Sequence, residues 1–301
     1  APVQGVDLAD KQETTRLLLS CGADIHEINT IRKHLSYFKG GQLCRHAKGA
    51  AIVSLILSDV IGDNLDSIAS GATAPDSGTY GDCMGILARY NLIGAVPEAV
   101  CRHLSAGSRG AIGETPKPGD AVFTHVENHI VGSISDALTA AEKKARAQGF
   151  NPLILSSTIQ GEAREVAKVL CAVAREVRYY GRPVPSPACL LFGGETTVTL
   201  KGDGIGGRNM ELALAAGLEL ADVSNTLLLS AGTDGTDGPT EAAGAFASAS
   251  TVLRADALNI SASRHLAKND AYTFFHSLGD LLVTGPTRTN VMDLQVVLVD
   301  T

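Results

Sequence analysis

Five short runs along the chain are apolar almost without interruption and then stop abruptly at Gly, Ser, Thr or Asp: AAIVSLILSD, NHIVGSISD, NPLILSST, ACLLFGGE and NTLLLSAGTDG. Apolar continuity of this kind marks strands buried on both faces of a parallel sheet, where neither face can hold polar side chains in water. Between the runs lie stretches with helical spacing of apolar positions: DALTAAEKKARAQG, GEAREVAKVLCAVAREVRYYG and RNMELALAAGLEL. The second opens with Glu162 and Glu165 and closes with Arg175, Arg178 and Gly181. Acid at the start and base plus glycine at the end is the polarity a helix dipole favours. Strand, helix and strand in repetition predict an α/β protein with largely parallel sheets flanked by helices.

A chain of 301 residues is long enough for two domains of ordinary size. Two Pro-rich stretches punctuate it. GETPKPGD (113–120) follows a helical region and precedes a fresh strand, which predicts a boundary between a domain over 1–112 and another over 119–301. GRPVPSPA (181–188) joins a helix to the next strand within a domain.

Hydrophobic residues make up 45% and charged residues 19%, with no Trp, so Val, Leu, Ile and Ala fill the core. A net charge of −7 without basic runs argues against nucleic acid as a partner. Six scattered cysteines with no CxxC pair are the usage of a reduced compartment. The longest apolar run, AAIVSLIL, is far shorter than the ~20 residues that span a bilayer. No basic-then-apolar signal opens the chain, and the expectation is a cytoplasmic protein with no membrane partner.

The ligand crevice of an open parallel sheet lies outside the carboxyl ends of its strands, so the polar residues there carry the candidate chemistry. In LLFGGETTVTLKGDGIGGRNMELALA (190–215), Gly202, Gly204 and Gly207 fit G-x-G-x-x-G between the run TTVTL and a helix. That is the dinucleotide fingerprint, although no acidic residue falls at its expected distance. Arg208 stands where the helix begins, and a cation there opposes the macrodipole by roughly 0.3–1 kcal/mol. Free backbone N–H groups beside an arginine suit a bound anion such as phosphate; an arginine paired with a nearby carboxylate is the plainer reading. Glu195, after Gly193 and Gly194, is a candidate metal ligand or a solvated strand-end residue. Asp234 and Asp237 lie in the glycine loop SAGTDGTDGPT, where Asp also serves as an ordinary turn former. Ser58, Asp59 and Asp63 follow another buried run, where a carboxylate can accept a hydroxyl proton or hold Mg²⁺, or cap a helix. Arg32, Lys33 and Lys39 precede Gly40 and Gly41, a helix C-terminus or a set of ligand-facing cations.

No G-x-x-x-x-G-K-[ST], H-R-D or D-F-G set occurs, which excludes P-loop enzymes and protein-kinase relatives. The absence of G-x-S-x-G and H-E-x-x-H removes serine-hydrolase and zincin readings.

Taken together, HEINTIRKHLSYFKGGQL, LILSDVIGDNLDSIASGATAPD, ETPKPGD, FGGETTVTLKGDGIGGRNMELALA, LLSAGTDGTDGPTEAAGAF and NDAYTFFHSLGDLLVTGPTRTNVMDL resemble the glycerate 2-kinase family, whose C-terminal part is the MOFRL domain. The resemblance implies two α/β domains with the site in the cleft between them. The first would be the remainder of an N-terminal Rossmann-like domain, and the MOFRL region would cover about 187–296. It implies ATP-dependent phosphorylation of D-glycerate, usually at the 2-hydroxyl, with Mg²⁺. The partner is then a small-molecule substrate, with a homodimer as the candidate assembly. By matching motifs, Asp59 and Arg208 would be catalytic. Gly193, Gly194, Glu195, Thr196, Gly204, Gly206, Gly207, Asn209 and Asp234 would contact ATP. Lys39, Ser58 and Asp63 would contact substrate, and Glu195 and Asp237 the metal.

Family members begin with a segment carrying a GKA-type lysine and an SGGGS loop, neither of which is present here. The chain instead opens APVQGVDLADK, like the middle of a loop. An N-terminal piece of the first domain is therefore expected to be missing, with little or no kinase activity in these 301 residues alone. In TGPTRTNVMD, Arg288 stands where the family pattern suggests Gly. The competing readings are an NAD(P)H-dependent hydroxypyruvate reductase, a label relatives have carried and supported by G-x-G-x-x-G, and a non-catalytic fragment that binds nucleotide.

Overall fold

The computed structural model describes residues 1–301. In order the elements are α1 (Leu8–Ser20), α2 (Ile25–His34), α3 (Gln42–His46), β1 (Ile52–Leu57), α4 (Tyr80–Arg89), α5 (Glu98–Ser108), β2 (Val126–Gly132), α6 (Ile134–Ala147), β3 (Asn151–Glu162), α7 (Ala163–Tyr180), β4 (Ala188–Thr197), α8 (Arg208–Glu219), β5 (Thr226–Gly232), β6 (Gly244–Ser248), α9 (Thr251–Ala257), α10 (Ala262–Ala267), α11 (Ala271–Leu278), β7 (Leu281–Leu282) and β8 (Asp293–Val299). Local chemistry sets several boundaries. Capping boxes start α1 (Asp7 with Asp10), α2 (Asp24 with Glu27) and α4 (Thr79 with Asp82), each satisfying N–H groups that a helix end leaves unpaired. Helix α7 stops at Gly181, whose left-handed φ of 66° suits glycine.

The chain forms two compact units, Ala1–Ile56 with Asp63–Val131, and Leu57–Gly62 with Gly132–Thr301. The changeover after Val131 replaces the boundary expected at 113–120. The Pro-rich stretch is tied into the first unit: Thr115 donates to Asp76 (2.9 Å), and the Asp76 N–H donates to the Pro116 carbonyl (2.9 Å). Residues 57–62, carrying Ser58 and Asp59, belong to the second unit.

In the first unit α1, α2, α4 and α5 enclose Leu18, Ile31, Leu35, Cys83, Leu87 and Leu104. Strands β1 and β2 run parallel as a separate two-stranded sheet, starting from Ile52 N–H to His125 C=O (2.9 Å). In the second unit six strands lie in the order β3-β4-β8-β5-β6-β7. The mixed α/β class stands as expected, but parallel pairing in this sheet is confined to β3 and β4, which α7 connects as a crossover. The other four ladders are antiparallel. The reason is β8: the last strand enters the centre of the sheet between β4 and β5 and runs against both. Helices α7 and α8 cover one face over Leu170, Leu190, Leu212 and Val297, and α6 covers the other over Leu138, Cys189 and Leu191.

Nine successive residues of α8, Asn209 to Gly217, are buried. Asn209 and Glu211 among them must find internal partners. Those partners define the site.

Candidate active site

At one end of the six-stranded sheet β4 and β5 finish where β8 begins, and Asp293 stands opposite Gly194 on one side and Gly232 on the other. Both sheet partners are glycines, and the carboxylate between them is wholly buried. Arg208, the first residue of α8, fills that space. Its Nε and Nη2 donate to the two Asp293 oxygens at 2.6 and 3.0 Å, and Nη1 lies 2.9 Å from Glu195 Oε1. Burial opposes the guanidinium charge, but the hydrogen bonds and charge of Asp293, with Glu195 and Asp237 adding, raise its pKa overall. A guanidinium has five N–H donors; Asp293 takes two and Glu195 meets a third, and 36% of the side chain stays exposed.

Glu195 is pushed above the usual carboxylate range by burial, with Arg208 opposing and Asp293 and Asp59 adding to the rise. The end of the sheet therefore gathers Arg208 with Asp293, Glu195 and Asp59, more negative than positive charge. No set of three His, Cys, Asp or Glu side chains forms a ready-made metal cage. Mg²⁺ usually takes one or two carboxylates and completes its shell with water and phosphate oxygens. The exposed Glu195 fits that mode of binding.

Asp237 does not fit. It is 3% exposed, and its oxygens accept from Asn209 N–H (3.1 Å) and Met210 N–H (2.8 Å). The anion at the N-terminus of α8 is thus the protein's own carboxylate, held where the dipole favours it. Burial still pushes Asp237 up to about 6, against the pull of the two N–H donors. Asn209 is turned inward as well, its Oδ1 accepting from Ser230 (2.6 Å) and its side chain buried, so it is not available to ATP.

The glycine loop is also explained from within. Strand β4 ends at Thr197, so TTVTL is a strand only in its first two residues. A Cβ at Gly202 would overlap the Lys268 backbone, at Gly204 Asp270, and at Gly207 Asp237. The expectation that bare backbone admits phosphates fails at Gly204 and Gly207, where the protein's own atoms occupy the space. Gly206 packs beside Asn269 and Ala271. Asn269 pins the loop: its Oδ1 accepts from Lys201 N–H (2.7 Å) and Gly202 N–H (3.0 Å), and its Nδ2 donates to Glu211 (2.8 Å). Arg164 holds Glu211 from the other side at 2.6 and 2.9 Å.

The remaining predicted residues divide. Gly193 packs against Ile134, and a Cβ at Gly194 would overlap the Ile159 backbone; both serve the sheet rather than a nucleotide. Thr196 is buried with an unpartnered hydroxyl. Asp234 accepts from Thr236 N–H (2.9 Å), the turn-forming reading of that aspartate. Ser58 is wholly buried and bonds within its own turn through Val60, so it is not presented to substrate. In the first unit, Lys39 donates to Ala69 C=O and Ser70 Oγ, both at 3.1 Å. Lys33 instead pairs with Asp76 and Asp66 at 3.2 and 3.5 Å. Asp63 has a left-handed φ of 55° and a buried, unpartnered Oδ1. Sequence reasoning missed Asp293 and Asn269; the apolar run DLQVVLV behind a single acid was the available signal for the first.

Two family models match the chain: "Domain of unknown function (DUF4147)" over 1–105 and "MOFRL family" over 188–293. A D-glycerate 2-kinase of Thermotoga maritima is 43% identical over 298 residues, covering 99% of this chain and 68% of that protein. A glycerate 2-kinase of Pyrococcus horikoshii is 42% identical, covering 99% and 67%. The crystal structure of the Thermotoga maritima glycerate kinase superposes with a TM-score of 0.89 at 43% identity, over 99% of this chain and 69% of that one. The chain thus spans about two thirds of the length of these relatives. With identity sustained across both units and the same fold beneath it, the chain belongs to the glycerate 2-kinase family.

Proposed function

We propose that this chain builds the phosphoryl-transfer site of an ATP-dependent glycerate kinase, making 2-phosphoglycerate from D-glycerate. The observation that carries the reading is Arg208, locked by the buried Asp293 at the carboxyl ends of β4 and β5 with donors still exposed. Phosphoryl transfer depends chiefly on positioning and electrostatics, and a guanidinium that cannot swing away is suited to the charge of the transferring group. The acceptor hydroxyl oxygen bonds to the γ-phosphorus, the bond from that phosphorus to the departing ADP oxygen breaks, and the hydroxyl proton passes to Asp59. When bound, Mg²⁺ would be held by Glu195 with phosphate oxygens and water, and it would neutralise phosphate charge.

No observation favours the reductase reading, because the glycines that suggested a dinucleotide pack against Lys268, Asp270 and Asp237. All six cysteines are free, which supports the cytoplasm as compartment; no helix is long and apolar enough to cross a membrane. A thermal-shift comparison tests the assignment, since stabilisation follows RT ln(1 + [L]/Kd). ATP with Mg²⁺ raises the melting temperature and NADH does not; stabilisation by NADH alone overturns the kinase.

A further inference from the structure

Arg288 stands where the family pattern suggests Gly, and the backbone accounts for the glycine. Its φ is 62°, in left-handed space that glycine enters freely and a long side chain enters under strain. Such strain persists only where the surrounding structure fixes it, and it gathers at ligand sites. The loop from β7 to β8 is fixed on both sides of Arg288. Thr287 N–H donates to Asp234 C=O (3.1 Å) and the Thr287 hydroxyl to Thr233 C=O (2.6 Å). Val291 N–H donates to Thr233 Oγ1 (2.8 Å), and the Thr233 N–H and hydroxyl both donate to Met292 C=O, at 3.0 and 2.6 Å.

These bonds tie the loop to the turn that follows β5, whose last residue, Gly232, stands opposite Asp293. Arg288 is thereby held at the end of the sheet where Arg208 grips Asp293. Its side chain is exposed, and no carboxylate pairs with it. It is also the single charged residue between Asp280 and Asp293. Positive charge is scarce at this end of the sheet. Arg208 faces both Asp293 and Glu195, and Asp59 lies within electrostatic reach of Glu195. Three of the five guanidinium donors of Arg208 are engaged by carboxylates. A polyphosphate brought there meets more repulsion than attraction unless a second cation joins Arg208.

We propose that Arg288 is a phosphate-binding residue beyond those the family motifs assign, its guanidinium meeting the phosphate chain of the nucleotide beside Arg208. A planar fork matches two oxygens of a phosphate group, and the anion supplies the counter-charge that the protein does not. The inference rests on the phosphoryl-transfer reading for the nature of its ligand. Arg208 serves the transferring group and Arg288 the hold on the nucleotide, so loss of Arg288 shows in affinity rather than in the chemical step.

The test is isothermal titration calorimetry of the protein with Mg·ATP, inorganic tripolyphosphate and adenosine at physiological salt, where exposed charges more than about 8 Å away are largely screened. Arg288→Gly removes the guanidinium and suits the left-handed backbone, so the variant should melt at or above the wild-type temperature. It should bind Mg·ATP and tripolyphosphate about tenfold or more weakly, the loss of one charge-assisted contact, with adenosine unaffected. Arg288→Lys should lose less, and Lys144→Met, which removes an exposed charge on α6, should lose nothing. If Arg288→Gly melts lower than the wild type, Arg288→Gln is read in its place. A Kd for tripolyphosphate unchanged by substitution at 288, an equal loss in Lys144→Met, or no tripolyphosphate binding to the wild type overturns the inference. Failure of the kinase reading is a separate result: Arg288-dependent polyphosphate binding in a protein that transfers nothing to D-glycerate keeps the site and discards the reaction.

Discussion

Arg208 grips Asp293 through two hydrogen bonds of 2.6 and 3.0 Å, joining the first residue of α8 to the first residue of β8 across 85 positions of sequence. The carboxylate is wholly buried while the guanidinium is partly open, so the pair is unequal. Asp293 positions and Arg208 reaches out. Removing the arginine strands a buried charge, which typically costs 3–5 kcal/mol. Arg208→Ala should lower stability in urea by about that amount. Arg208→Lys keeps the charge but not the two-pronged grip; it should fold better than the alanine variant yet lose on the order of 10²-fold in kcat. An unchanged kcat in the lysine variant would remove Arg208 from the transition state.

Asp237 carries a pH signature. Its pKa rises from 3.8 to about 6 on folding, so the folded state holds this proton more tightly than the unfolded chain. The associated stability is complete below about pH 3.8 and is lost as pH climbs through 6. The loss amounts to an order of 2–3 kcal/mol at neutral pH. In Asp237→Asn this component vanishes. Subtracting its stability from that of the wild type at each pH between 4 and 7 should leave a difference that declines through the window; a flat difference contradicts the shift.

Gly207 has an ordinary extended φ of −152°, so its need for glycine is one of space alone. A methyl group there overlaps Asp237. Gly207→Ala should cost about 1–3 kcal/mol, as overpacking does, and calorimetry checks it.

Asn269 is a second support of the same loop. Asn269→Ala removes acceptors from the Lys201 and Gly202 N–H groups and a donor from Glu211. It should cost about 1–3 kcal/mol, and Asn269→Gly should recover part of it because the φ of 56° is easy for glycine. Identical stabilities for the two variants would show that backbone conformation contributes nothing here.

Glu195→Gln tests the metal assignment. The variant keeps its shape and loses its charge, so the Mg²⁺ concentration giving half-maximal rate should rise about tenfold or more, while KM for glycerate stays near the wild-type value. An unaltered Mg²⁺ requirement would move the metal elsewhere.

How much of this was legible in the sequence depends on the range of the interaction. The β3–α7–β4 crossover and β5 follow from local apolar periodicity, and the helix end at Gly181 from charge order and glycine. Strand β8 did not follow: its run DLQVVLV says that it is buried but not which neighbours it joins, and it inserts antiparallel between β4 and β5. Its place in the middle of the sheet sets both the antiparallel majority and the partner of Arg208. The glycine loop shows the same limit. Its composition signals close approach of backbone, and only the fold reveals that the approaching atoms belong to Lys268, Asp270 and Asp237 rather than to a nucleotide.

The central claim is phosphoryl transfer to D-glycerate, and the most direct test is ³¹P NMR of D-glycerate with ATP and Mg²⁺, using the full-length product of the gene. The account predicts a new phosphomonoester signal coupled to a single CH proton, the mark of the 2-position. Intact ATP with no new signal would contradict it.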